Sequence, residues 1–95
     1  MADHVVETLE NSVTEHVSKA DLTRILARAG RRSWAAMHEA AHRLDDSGDS
    51  DIEKPALDDI IAVASQMENE RQPFPGDDEA LYVAVNHVAA QVPHR

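Results

Sequence analysis

Residues 18–30 read Ser18-Lys19-Ala20-Asp21-Leu22-Thr23-Arg24-Ile25-Leu26-Ala27-Arg28-Ala29-Gly30, and they contain the start, the face and the end of one helix. Ser18 offers a side-chain oxygen to the unpaired amides of a first turn, with Asp21 three residues on in the capping-box position. Leu22, Ile25, Leu26 and Ala29 fall on one side at helical spacing. Gly30 stands where a helix ends in a left-handed residue.

The same grammar repeats on both sides. Val6, Leu9, Val13 and Val17 lie on one stripe and predict a helix over about residues 3–17. Ser33 is positioned to cap a third helix whose apolar side holds Trp34, Met37, Ala41 and Leu44. Pro55 suits the first turn of a fourth, with Leu57, Ile60, Ile61, Ala64 and Met67 as its stripe. Asp77 caps a last helix with Leu81, Ala84, Val85, Val88 and Val92 on its face. Leu81, Val83 and Val85 also alternate as in a strand, but Val88 and Val92 continue the helical spacing better. Two polar connections separate these elements: an acidic loop over 45–54 and a proline-rich loop over 71–76. The expectation is an all-α fold, one domain spanning 1–95, as a compact bundle of four to five short helices.

Composition bounds what such a bundle can do. Leu, Ile, Val and Phe together number only 20 of 95 residues, against 15 alanines that bury little area each. A second copy of the chain or a partner protein would add the missing buried surface. The absence of cysteine excludes disulfides, thiolate metal sites and a cysteine nucleophile. No apolar stretch is long enough to span a membrane, and Met1-Ala2-Asp3-His4 does not open a signal peptide, so the expected location is cytoplasmic.

The net charge of −9 is uneven. Residues 1–18 carry four acids and no Lys or Arg. Residues 19–43 hold Lys19, Arg24, Arg28, Arg31, Arg32 and Arg43 against Asp21 and Glu39. Residues 44–95 hold twelve acids against Lys54, Arg71 and Arg95. A basic segment between acidic ones predicts ion pairing between helices or a bipolar surface.

His38-Glu39-Ala40-Ala41-His42 is the most specific string in the chain. It resembles the HExxH signature of zinc metallopeptidases. That resemblance implies His38 and His42 as zinc ligands one turn apart and Glu39 as the base that activates metal-bound water. Glu68, in line with Leu57, Ile61 and Ala64, is the candidate third ligand. The extended form of the signature would need Gly at 45 and His at 48, where the chain has Asp45 and Gly48. The resemblance covers five residues, and no cofactor is the favoured expectation.

Arg24, Arg28 and Arg31 or Arg32 suggest a phosphate-binding stripe, or a helix-turn-helix from Thr23 to Leu44. Gly30 is one residue out of register for that turn, and the acidic remainder would repel a duplex. Asp45 onward mimics a calcium loop until Ser50 replaces its glycine and Ala56 its bidentate Glu.

The reading these features favour is a non-enzymatic, regulatory protein–protein interaction module, resembling immunity proteins, antitoxins and phage inhibitors in charge and size alone. Its partner would be a protein with a basic surface, met by Asp45, Asp46, Asp49, Asp51, Glu53, Asp77, Asp78 and Glu79, with Phe74 as an apolar anchor. A minimal zinc hydrolase and a basic-helix nucleic-acid binder are the alternatives.

Overall fold

A computed structural model describes residues 17–92, and these form four helices without a strand. They are α1 (Lys19–Ala29), α2 (Trp34–Ser47), α3 (Lys54–Asn69) and α4 (Asp78–Ala89). The helix expected over 3–17 lies outside the described residues except for Val17, which is fully buried. No helix among the described residues is long and apolar enough to cross a membrane.

Helix ends follow the local chemistry closely. The Ser18 hydroxyl accepts from the Asp21 amide at 3.1 Å, Ser33 from Ala36 at 3.1 Å and the Asp77 carboxylate from Ala80 at 2.7 Å. Each satisfies one of the amides that a first turn leaves without an intrahelical acceptor. Gly30 ends α1 at φ 73°, in the left-handed region that costs glycine nothing.

Three boundaries differ from the sequence expectation. Helix α2 continues through Asp45, Asp46 and Ser47 before Gly48 caps it at φ 65°, and α3 already begins at Lys54. The acidic connection is therefore shorter than 45–54. Asp45 is half-buried and held by Lys54, which supports that extra turn. At the far end of α3, Arg71 takes a left-handed φ of 56°. Its amide donates to the Glu68 carbonyl at 3.1 Å and the Gln72 amide to the Met67 carbonyl at 3.0 Å, a Schellman closure built without glycine. Helix α4 stops at Ala89, so Val92 sits in the following turn and not on the helical face.

The core runs along α2 and α3, whose contact is the most extensive, with α1 packed chiefly on α2 and α4 on α3. Ile25, Met37, Ile60, Val63, Leu81 and Val85 are fully buried at its centre. Ala40, Ala41, Ala56, Ala64 and Ala89 occupy the contacts around them. Small side chains there let helix axes approach closely, and that is how a chain with few large apolar residues still closes a core. Asn86 fastens the start of the described chain. It accepts from the Val17 amide at 3.0 Å and donates to the Val17 carbonyl at 3.1 Å and the Tyr82 carbonyl at 3.2 Å.

Trp34 joins the first turn of α2 to the connection after α3. It is 5% exposed, its Nε1 donates to the Pro73 carbonyl at 3.4 Å, and Phe74 lies against its ring at 5.0 Å between centroids. Replacing a buried indole leaves both a lost transfer term and a cavity. Trp34→Ala is expected to cost about 3–5 kcal/mol, measurable by urea unfolding followed by circular dichroism; unfolding at the parent's urea concentration would place the ring at the surface.

Candidate functional site

The HExxH string lies on α2, as its resemblance requires, but its side chains diverge. His38 and His42 rings stand 5.8 Å apart at 64°. His38 Nδ1 is 3.8 Å from Glu68 on α3, while His42 Nδ1 faces Asp46 on its own helix at 3.5 Å. Glu68 thus does reach His38, though from the exposed margin of α3 and not from its buried stripe, since its side chain is 48% exposed. Glu39 turns to Arg43 at 2.5 Å.

A zinc enzyme needs three protein donors around one ion and an open position facing a base. Among the described residues no group of three or more His, Asp or Glu side chains is placed to hold one metal ion. Each imidazole meets a different carboxylate, and Glu39 is engaged by a guanidinium. His87 lies on α4 beside Gln91 at 3.1 Å and does not join them. These residues do not fit the centre that the resemblance implies.

The acidic candidates divide between two ends of the α2–α3 hairpin. Asp45, Asp46, Asp49, Asp51 and Glu53 surround its connection, whereas Asp77, Asp78 and Glu79 follow the opposite connection, beyond Phe74. Helix α3 alone is 16 residues, roughly 24 Å long, and the two groups follow its opposite ends. The second group is also engaged internally. Asp77 is a helix cap, Asp78 pairs with Arg32, and Glu79 meets Lys19 at 2.6 Å. Phe74 is half-buried between Trp34 and the Arg32 guanidinium, 5.8 Å from its centroid. It packs the end of the bundle instead of offering an exposed anchor, because the short Pro73-Phe74-Pro75 connection lays its ring on Trp34.

The first group keeps more of its charge available. Arg24 reaches Asp51 at 3.2 Å and Lys54 pairs with Asp45 and, at 3.1 Å, with Asp58. The hydrogen bonds that the ammonium donates to Asp45 first and then to Asp58 raise the pKa of Lys54 above its ordinary value. Any stability from that pairing is complete below the unfolded-state value and fades as pH rises through the folded one, so the ammonium stays charged at neutral pH. Asp46, Asp49 and Glu53 are exposed and meet no Lys or Arg among the described residues. A hollow of about 450 Å³ at the same connection is lined by Leu44, Ile52 and Leu57 together with Asp45, Ser50 and Lys54. Composition alone gave no signal for this hollow; it exists because Ile52 folds inward from the connection.

The expected interhelical pairing of the arginines holds for part of the set. Arg24 and Arg32 find acids on other elements and Arg43 finds Glu39 on its own helix, whereas Arg28 and Arg31 have no acidic partner among the described residues. Asp59, 6% exposed, is a buried carboxylate that the spacing of its neighbours did not single out. No buried side-chain nitrogen or oxygen among the described residues lacks a hydrogen-bond partner.

No family model, no curated protein and no solved structure matches this chain.

The divergence of His38 and His42 has a direct check. Protein purified in zinc and dialysed against zinc-free buffer is expected to retain well below one equivalent by atomic absorption. Stoichiometric retention lost in both His38→Ala and Glu68→Ala would establish a metal centre.

Proposed function

We propose that this chain is a non-enzymatic regulatory module that docks a basic protein through the α2–α3 connection. The observation that carries this reading is that Asp46, Asp49 and Glu53, exposed and without a Lys or Arg partner among the described residues, alternate in the chain with Leu44, Asp45, Gly48, Ile52 and Lys54, which line a hollow at this connection. A lysine or arginine side chain suits such a place: its aliphatic stem covers apolar surface while its charged head stays among carboxylates. Opposite charge speeds the encounter, and burial of the stem sets how long the complex lasts. In physical type this resembles immunity proteins, antitoxins and phage inhibitors, which is a likeness of charge and size.

Copurification from the native host tests it, with Asp46→Lys, Asp49→Lys and Glu53→Lys combined as the comparison. A basic protein is expected with the parent and not with the triple variant, and its association rate should fall about tenfold or more between low and high salt. Equal recovery by the triple variant removes this end of the hairpin as the contact.

A homo-oligomer is the second reading, and a separate observation favours it. Val83 is 61% exposed and lines an open apolar hollow of about 530 Å³ with Met67, Ala80, Ala84 and Val88. A second copy laid on this face would supply buried area that the small core lacks. Sedimentation equilibrium is expected to show a concentration-dependent mass that Val83→Glu abolishes; a constant monomer mass for the parent refutes self-association.

A further inference from the structure

Arg28 and Arg31 stand out against the charge balance of the chain. Acids outnumber Lys and Arg by 18 to 9, so a surface arginine has many carboxylates to choose from. Among the described residues Arg24, Arg32 and Arg43 each find one, whereas Arg71, past the end of α3, and the pair Arg28 and Arg31 do not. Both lie beside a groove of about 410 Å³ between the end of α1 and the first two turns of α2. Ala29, Ala36 and Ala40 line it, and Arg43 and Glu39 complete its rim.

The C-terminal dipole of α1 favours Arg28 in its last turn, and a solvated arginine there needs no ligand. That effect does not account for the convergence of Arg31, beyond the helix, and Arg43, from a different helix, on the same hollow. The alanines matter as well. Their short side chains leave the floor open, so an anion can lie between the guanidiniums without displacing a bulky neighbour. Glu39 neutralises one of the three arginines through its 2.5 Å contact with Arg43 and holds that side chain at the rim. The groove is left with a formal charge of +2.

We infer that this groove binds a phosphate dianion, free or as a phosphomonoester, through Arg28, Arg31 and Arg43. Guanidinium presents paired N–H donors that match phosphate oxygens, and charge-assisted bonds of this kind are the strong ones. The charge of about −2 on a phosphate monoester at neutral pH equals that of the groove with opposite sign. A phosphodiester carries a single charge and, in a nucleic acid, brings neighbouring phosphates toward an acidic molecule. The site is independent of the acidic end of the hairpin and stands whether or not that end docks a partner.

Amide shifts in two-dimensional NMR supply the test, with inorganic phosphate, methyl phosphate, dimethyl phosphate and sodium chloride titrated at matched ionic strength. Saturable shifts confined to residues around 28–43 are expected for phosphate and methyl phosphate, with the tighter of the two naming the source. Dimethyl phosphate should bind about fivefold more weakly or worse, and combined Arg28→Gln and Arg31→Gln should weaken phosphate about tenfold. Those side chains are exposed, so the variant's melting temperature should stay close to the parent's, which separates a lost ligand from a lost fold. Identical shifts with sodium chloride, tighter binding of dimethyl phosphate, or unchanged affinity in the double variant would each overturn the assignment.

Discussion

Alanine sets the terms on which these helices meet. With only 20 Leu, Ile, Val and Phe in 95 residues, wide interhelical spaces could not be filled. Ala36, Ala40, Ala41, Ala56, Ala64 and Ala89 are all at most 8% exposed, and they bring the axes close enough for a few large side chains to occupy what remains. Ile25, Met37, Ile60, Leu81 and the buried valines then interlock as one cluster. Everything peripheral is referred to that close approach. The acidic connection can be short because α2 and α3 lie close together, and the groove beside Arg28 is open because its lining is alanine.

Electrostatics on this molecule is mostly local housekeeping at the surface, with two exceptions. Exposed pairs such as Lys19 with Glu79 are worth about 0–1 kcal/mol each and hold orientation more than stability. They nevertheless decide which charges remain available to a partner. Among the described residues, Asp46, Asp49 and Glu53 at one end of the hairpin meet no Lys or Arg, and Arg28 and Arg31 beside α1 meet no acid. The described part of a strongly acidic chain thus holds both unpaired carboxylates and unpaired guanidiniums.

Much of the helix pattern was legible because caps and apolar spacing are local. Ser18, Ser33 and Asp77 act on amides three residues away, and Leu22 with Ile25 or Leu57 with Ile60 declare a face within one turn. The end of α2 was harder to read. A run of Asp and Ser looks like a loop, yet Lys54 from the next helix holds Asp45 and keeps the last turn wound. The site was less legible still. HExxH fixes two imidazoles and a carboxylate on one helix, but their orientation is decided by Asp46, Glu68 and Arg43, one of them on another helix. Phe74 is pinned by short-range prolines, while its neighbour Trp34 is 40 residues earlier in the chain. Partners that distant leave no periodic signature.

Trp34 is the only tryptophan, and it sits at the junction where the two ends of the α2–α3 hairpin connect to the rest of the chain. The protein therefore has its own optical reporter at a single defined place. Indole emission is sensitive to the polarity around the ring, and here the surroundings are Phe74 and the backbone of Pro73 instead of water. An event that parts the 70–77 connection from α2 would shift the spectrum without disturbing distant helices. An event confined to the 48–53 connection, at the other end of the hairpin, would leave the colour of the emission as it was. One unlabelled sample can thus tell which end of the bundle has responded.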